Sequence, residues 1–115
     1  MNRKIIFRGW NIKYKCWDYV NNPMEDCALI DQNSVGQYTG LNDKNGKKIF
    51  EGDIVTIGDN LKAVVIWFNG SYRFQDELSC KATYFDDMGI MMRDYEVQVI
   101  GNIHDNPELL KQQRQ

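Results

Sequence analysis

The side chains best suited to acid/base chemistry are few in this 115-residue sequence. The single histidine, His104, stands beside Asp105, and imidazole is the natural proton-transfer group near neutral pH. General acid/base catalysis needs convergent partners, and the sequence shows none around this pair. We therefore expect His104 to be a surface or hydrogen-bonding residue and expect no catalytic residue here.

Two groups of carboxylates could hold a divalent metal ion or transfer protons. Glu51 and Asp53 flank Gly52, but aspartate is also a standard turn residue, so turn chemistry with a solvated charge is the favoured interpretation. Asp86-Asp87 with Asp94 lacks the spacing of a calcium loop, and we expect a solvated acidic loop there. No metal site is predicted.

The remaining patterns give no sign of an enzyme or a cofactor. The three cysteines, Cys16, Cys27 and Cys80, are widely spaced and form no CxxC pair, so we expect reduced thiols in or near the core. The sequence has no phosphate loop, nucleophile elbow or dinucleotide fingerprint. We predict that the protein is not an enzyme and uses no cofactor.

Aromatic and basic side chains alternate near the start of the chain. The candidate contacts to a partner or a nucleic acid are Arg8, Trp10, Lys13, Tyr14, Lys15 and Trp17. Bases can stack on such rings while cations hold phosphates, as in many small barrels that bind single strands. The alternative places Trp10 and Trp17 in the core or in a dimer contact, and the net charge of −2 works against phosphate binding.

These residues are predicted to lie on an N-terminal hairpin. Lys4–Trp10 and Lys15–Val20 have the alternation of strands, and Asn11–Tyr14 is a polar turn between them. Beyond Pro23, Met24–Ile30 could form a short helix, and Asp31–Gly36 is predicted to be a polar connection.

Asn45-Gly46 is the next turn signal, because both residues tolerate positive φ angles. Tyr38–Leu41 and Lys47–Phe50 could approach each other across it, and a looser loop through Asn42–Gly46 is equally compatible. Gly52 and Asp53 then form a corner that Asp53 fixes by hydrogen bonds to nearby amides, and the strand Ile54-Val55 follows.

The second half of the sequence predicts further strands. Ala63–Phe68 is the most hydrophobic run and should lie in the middle of a sheet, joined through Asn69-Gly70 to Ser71–Phe74 as a hairpin. Tyr95–Ile103 alternates, with Tyr95, Val97, Val99 and Ile103 expected on one face.

Two features remain in the C-terminal part. Met91-Met92 either fills a gap in the core, which we favour, or contacts another subunit. Asn106 and Pro107 predict a cap and the first position of a short C-terminal helix. Together the elements predict a mainly β fold, a small SH3-like barrel or rolled antiparallel sheet, in one domain over residues 1–115.

Three stretches carry a resemblance to a known family. QYTGLNDKNGKKIFEGDIV (Gln37–Val55), KIIFRGW (Lys4–Trp10) and VIGNIHDNPELL (Val99–Leu110) resemble the YopX-like proteins of phages and prophages of low-GC Gram-positive bacteria. That resemblance implies a mainly β, SH3-like fold and possible self-association. It implies no established activity and supplies no catalytic residues.

The expected function is therefore that of a non-enzymatic phage or prophage accessory protein that acts through contacts with a host or phage protein, or by self-association. The alternative is a small nucleic-acid-binding module that uses the basic-aromatic N-terminal hairpin. No apolar run approaches the roughly 20 residues that span a bilayer. Arg8 interrupts the apolar start, so no signal peptide is predicted, and we expect a protein of the bacterial cytoplasm that binds no membrane.

Overall fold

A computed structural model describes residues 5–21, 29–58, 61–68, 70–76 and 83–111 of the chain. Strands dominate this part of the sequence. In chain order they are β1 (Phe7–Asn11), β2 (Cys16–Val20), β3 (Ile30–Asn42), β4 (Lys48–Phe50), β5 (Asp53–Ile57), β6 (Leu61–Phe68), β7 (Ser71–Asp76), β8 (Thr83–Asp87) and β9 (Val97–Asn102). Two short helices, α1 (Met88–Asp94) and α2 (Glu108–Lys111), accompany them.

The first sheet has four antiparallel strands in the order β2-β1-β3-β4. The predicted N-terminal hairpin is confirmed, with Arg8 opposite Tyr19 and Trp10 opposite Trp17. Residues directly opposite each other in an antiparallel pair share a face, so these four side chains lie on one side of the sheet.

Strand β3 corrects the prediction of a polar connection over Asp31–Gly36, because the strand runs through that stretch. The polar residues of Asp31–Gly36 fit a strand because β3 pairs with β1 and because one of their side chains, that of Ser34, forms hydrogen bonds to the backbone of both strands. The Ser34 hydroxyl accepts the Trp10 N–H at 2.8 Å and donates to the Asp31 carbonyl at 2.6 Å. Ile30 opens this strand and does not end a helix, while residues 24–28 of the predicted Met24–Ile30 helix lie outside the described residues.

The connection from β3 to β4 has the form of the looser loop. Tyr38 lies opposite Phe50 and Asn42 opposite Lys48, which leaves residues 43–47 as the loop. Asn45 and Gly46 occupy its bend, and Gly46 has a φ of 83°, which glycine adopts without the strain a Cβ would bring. The turn prediction at Asn45-Gly46 is confirmed.

The second sheet has five antiparallel strands in the order β8-β7-β6-β5-β9. The apolar run is its central strand, β6, as the sequence predicts. Phe68 lies opposite Ser71, so the β6–β7 hairpin has a two-residue turn in which Gly70 has a φ of 83°. Asn69, the other residue of that predicted turn, lies outside the described residues.

The hydrophobic core lies on one face of the second sheet, where α1 and β4 cover it. Its buried members are Ile49, Val55, Ile57, Ala63, Val65, Phe74, Met88, Val97 and Val99. Met91 and Met92 are partly buried against it, which confirms the core interpretation of this pair. Burying each large aliphatic or aromatic side chain of this kind contributes about 1.5–3 kcal/mol to stability.

Strand β9 departs from the predicted alternation. Val55 lies opposite Val99 but Ile54 lies opposite Gly101, so Ile100 is an extra residue in a β-bulge. The bulge reverses the alternation, with the result that Val97, Val99 and Asn102 are buried. Tyr95 and Ile103, predicted on the same face as the valines, are exposed and lie outside the strand.

The mainly β fold with a barrel-like sheet, the N-terminal hairpin and the short C-terminal helix are thus as predicted. The helix α2 follows Asn106 and Pro107, although the Asn106 side-chain oxygen accepts the Asn102 N–H at 3.3 Å. Cys16 is exposed, contrary to the expected core position, and Cys27 and Cys80 lie outside the described residues. None of the helices in the described ranges is long and apolar enough to cross a membrane.

Candidate functional site

Arg8 is an internal residue and not the exposed nucleic-acid contact that the sequence suggests. Only 6% of its surface is exposed, and its Nη2 donates to Asp53 Oδ1 in a buried ion pair. The guanidinium also lies between two rings, 5.0 Å from the Trp17 centroid and 4.9 Å from the Phe50 centroid. Cation–π contacts of this kind stabilise a cation that is buried away from water. The charge of Arg8 is therefore largely balanced within the fold.

Asp53 joins β5 to the first sheet. Its Oδ2 accepts the Phe50 N–H at 2.8 Å, which fixes the predicted corner, and Gly52 beside it has a φ of 91°. The carboxylate is buried, so the predicted solvated charge is wrong for Asp53. Burial raises the pKa of Asp53, while the Arg8 charge and the Phe50 N–H oppose that rise.

Asp43 is a second buried carboxylate, one that the sequence alone does not distinguish. Its Oδ1 accepts the N–H groups of Asn45 and Lys47, both at 2.9 Å, and its Oδ2 accepts the Val99 N–H at 2.9 Å. Burial alone raises the pKa of Asp43, but these three backbone donors outweigh it and the pKa is lowered. Asp43 thus ties the β3–β4 loop to β9.

Trp10 and Trp17 form a cluster with the segment after β9. The two indoles meet edge to face at 5.5 Å, and Trp17 Nε1 donates to Asp105 Oδ2 at 2.8 Å. The exposed His104 ring lies 5.8 Å from that of Trp17. Both tryptophans are half-buried, in agreement with the packing alternative for this pair.

The other three predicted contacts lie in the turn of the hairpin. Lys13, Tyr14 and Lys15 are exposed, and Lys13 Nζ lies 5.2 Å from the Tyr14 ring centroid. The Asn11 side chain fixes this turn by accepting the N–H groups of Lys13 and Tyr14, at 3.0 and 2.9 Å. The six predicted residues therefore divide into an internal trio and an exposed trio.

A cleft of about 460 Å³ lies beside Arg8. It is lined by Ile6, Arg8, Tyr19, Lys47, Lys48 and Phe50, which we call the basic-aromatic cleft. Its two lysines were not recognised as site residues from the sequence, because the β3–β4 connection brings them to Arg8 from some 40 positions away. Tyr19 could have been placed there from the hairpin register, since it lies opposite Arg8.

A second, smaller depression of about 280 Å³ lies where β6 meets the corner at Gly52. Val35, Ile66, Trp67 and Ile103 supply much of its apolar wall. Trp67 is 55% exposed, and its ring meets Tyr72 edge to face at 4.9 Å. It is an exposed tryptophan on the central strand of the sheet.

Within the described ranges, no group of three or more histidine, cysteine, aspartate and glutamate residues is arranged to hold a metal ion. Asp94 is exposed and lies 3.6 Å from the Arg93 Nε. The side chains of Asp86 and Asp87, its predicted companions, lie outside the described residues. Glu51 is half-buried beside the Asp53 corner.

Comparisons with known proteins give one family and a structural relative. A family model described as YopX protein matches residues 9–111. Three chains of known structure match, among them protein EF1440 from Enterococcus faecalis, whose crystal structure is similar with a TM-score of 0.59. That similarity covers 95% of this chain and 99% of the other at 24% identity, so it concerns the fold. No curated protein matches the sequence.

Proposed function

Because the chain belongs to the YopX family, whose model matches residues 9–111, we propose that it is an accessory protein of a phage or prophage. In this proposal it works in the bacterial cytoplasm, catalyses no reaction and acts through protein contacts, first of all with copies of itself. The observation that carries the proposal is the exposed indole of Trp67 beside an apolar depression.

Trp67 has the properties of an interface anchor. Tryptophan contributes strongly to protein interfaces because it presents a large, rigid surface at a low cost in conformational entropy. Here the ring is more than half exposed, is held edge to face against Tyr72, and lines a depression together with Ile66 and Ile103. A second chain would cover this apolar surface.

The internal carboxylates also support a non-catalytic role. Asp43 and Asp53 each accept backbone N–H groups that hold a bend of the chain, and Asp53 is in addition paired with Arg8. A carboxylate used in this way has its lone pairs engaged in maintaining the fold.

Light scattering on the purified protein over a range of concentrations and salt tests the proposal. We expect a defined oligomer for the wild type, a monomer for Trp67→Ala, and an unchanged oligomer for Tyr14→Ala. Tyr14 is the matched control because it is also an exposed aromatic residue, lies on the turn between β1 and β2, and does not line the depression beside Trp67. A wild-type monomer throughout, or a Trp67→Ala variant with the wild-type mass, would overturn self-association through this surface.

A nucleic-acid-binding role is the second candidate, and the exposed trio Lys13, Tyr14 and Lys15 favours it. Two cations next to one exposed ring could hold two phosphates and one base of a single strand. Binding through two phosphates predicts that log K falls with log salt at a slope of about −1.4.

Fluorescence anisotropy of a labelled single-stranded oligonucleotide at several salt concentrations tests this role. We expect Lys13→Gln/Lys15→Gln and Tyr14→Ala to weaken binding and Lys44→Gln, an exposed lysine paired with Glu96, to leave it unchanged. Undetectable binding even at low salt would exclude this candidate. Trp17→Ala is a less specific test of binding, because it also removes the hydrogen bond from Trp17 Nε1 to Asp105.

A further inference from the structure

We propose that the basic-aromatic cleft binds a small organic anion in which a flat ring carries a phosphate or carboxylate group. Lys47 and Lys48 would hold the anionic group, and Tyr19 would stack on the ring. The proposal concerns a different surface from Trp67 and is independent of self-association.

The cleft carries two positive charges that form no ion pair with a carboxylate of the described residues. Asp53 neutralises Arg8, but Lys47 and Lys48 are exposed, and within the described residues neither ammonium group has a carboxylate oxygen within 4.0 Å. The charge of Lys47 helps to lower the pKa of both Asp43 and Asp53, but the oxygens of both carboxylates are engaged, by backbone N–H groups and, at Asp53, by Arg8. Lys48 Nζ lies 5.9 Å from the Tyr38 ring centroid, a contact that leaves its charge in place. Two cations without a carboxylate partner at one rim favour an anionic ligand.

The walls of the cleft favour a flat ring next to the anionic group. Phe50 is buried, whereas Tyr19 is 60% exposed, and the two ring centroids lie 5.5 Å apart. Exposed tyrosine rings are stacking surfaces for bases and other planar groups. The volume of about 460 Å³ lies within the range of small-molecule sites and is sufficient for a ligand of mononucleotide size.

Arg8 lies in the wall of the cleft with one donor unsatisfied among the described residues. Its Nη2 is engaged by Asp53, but its Nε is buried and has no hydrogen-bond acceptor among the described residues. Buried donors are normally satisfied, and an unsatisfied one in a native structure calls for a missing acceptor. Arg8 lines the cleft, but its Nε is itself buried, so a ligand oxygen can serve as that acceptor only if the side chains around the guanidinium shift when the ligand binds.

A small ligand fits these observations better than a long strand. The cleft offers only two lysines without a carboxylate partner among the described residues, and the net charge of −2 of the chain opposes binding along the many phosphates of a strand. A single anionic group needs no further cations.

Isothermal titration calorimetry with defined probes tests the proposal. Adenosine 5′-monophosphate and N-acetyl-phenylalanine represent phosphate and carboxylate ligands, and adenosine and inorganic phosphate supply the ring or the anion alone. We expect one of the two complete probes to bind with a Kd between about 0.1 and 10 mM and each partial probe to bind more weakly. The complete probe that binds shows whether the anionic group of the ligand is a phosphate or a carboxylate.

Variants then assign the site. Lys47→Gln/Lys48→Gln should weaken binding about fivefold to tenfold, and Tyr19→Ala at least about fivefold. All three positions are exposed, so folding is retained; Lys13→Gln/Lys15→Gln and Tyr14→Ala are the matched controls and should bind normally. The proposal is overturned if neither complete probe binds at about 10 mM, or if the cleft variants bind like wild type. It is also overturned if a single-stranded oligonucleotide displaces the bound probe at a far lower concentration than the probe itself requires.

Discussion

Asp43 and Asp53 lie ten residues apart, one on each side of β4, and both are buried, yet the fold stabilises them in different ways. Asp43 is surrounded by backbone N–H groups, from Asn45, Lys47 and Val99. Asp53 accepts one backbone N–H, from Phe50, and its other carboxylate oxygen accepts a hydrogen bond from the guanidinium of Arg8. Their pKa values are shifted in opposite directions.

The difference shows what each region depends on. Around Asp43, neutral donors fixed by the main chain stabilise the ionised carboxylate, so the bend survives most changes of side chain. Around Asp53, burial disfavours the charge and one distant side chain offsets that cost. The corner at Asp53 is therefore sensitive to a single substitution in β1.

Arg8→Met is expected to have the largest effect. It leaves the Asp53 carboxylate buried without its cation, which should lower the free energy of unfolding by about 3–5 kcal/mol. Urea unfolding at neutral pH measures the loss. The double variant Arg8→Met/Asp53→Asn removes the charge but keeps an acceptor for the Phe50 N–H, so it should recover much of the stability. A loss smaller than that of Asp43→Ala would contradict the contrast between the two regions.

Asp43→Ala should have the next largest effect. It leaves the N–H groups of Asn45, Lys47 and Val99 without their acceptor. We expect the free energy of unfolding to fall by about 2–3 kcal/mol, because only one of these three groups, the Val99 N–H, lies on a core strand. Asp43→Asn is the control and should lose less, since it retains one acceptor oxygen. Equal losses in Ala and Asn would show that the charge, rather than hydrogen bonding, sustains this loop.

The two glycines of these bends should behave alike, in contrast to the two aspartates. Gly46 and Gly52 have φ angles of 83° and 91°, so replacing either by alanine should cost about 1–2 kcal/mol in backbone strain. A Cβ on Gly46 meets no atom within 4 Å and one on Gly52 only ordinary contacts with Ile103, so sterics add little. Thermal unfolding of the two variants compares them, and a loss at Gly52 alone would point to a loop that rearranges around Gly46.

The smallest expected effect is on the pH dependence of stability. The lowered pKa of Asp43 means that the folded state binds fewer protons, so its contribution is present above the ordinary aspartate pKa and is lost as the pH falls through the folded pKa. The raised pKa of Asp53 has the opposite sign, and its contribution is lost as the pH rises through the folded pKa.

Urea unfolding between about pH 6 and about pH 3 measures both contributions. Asp43→Asn should lose less stability than wild type on acidification, and Asp53→Asn should lose more. Variants that change the slope in the same direction would show that the two carboxylates have similar surroundings after all.

The local features of the fold were predictable from the sequence. The apolar run of β6, the Gly52-Asp53 corner and the two-residue hairpin before Ser71 each depend on residues a few positions apart, whose propensities agree with the final structure. The N-terminal hairpin was predictable for the same reason.

The features that the sequence could not provide depend on residues far apart in the chain. Asp31–Gly36 is polar and becomes a strand only because β1 pairs with it, and the bulge at Ile100 exists only in the register with β5. The burial of Arg8 follows from Asp53, 45 positions later, and the cleft arises when the same contacts bring Lys47 and Lys48 to Tyr19. No local pattern encodes these pairings.

The pairing of β5 with β9 has a consequence for how the protein is made. As the chain emerges from the ribosome, β5 appears some 40 residues before β9, and until β9 arrives one whole edge of β5 has its N–H and C=O groups unpaired. Two hydrogen bonds also form late in synthesis: the Val99 N–H that Asp43 accepts is made 56 residues after Asp43, and the Asp105 carboxylate that Trp17 binds is made 88 residues after Trp17. The nascent chain thus exposes an open sheet edge while some 40 residues are made. Strand β9, the last of the described strands, then closes the sheet, and Asp105 in the segment after it binds the first hairpin through Trp17.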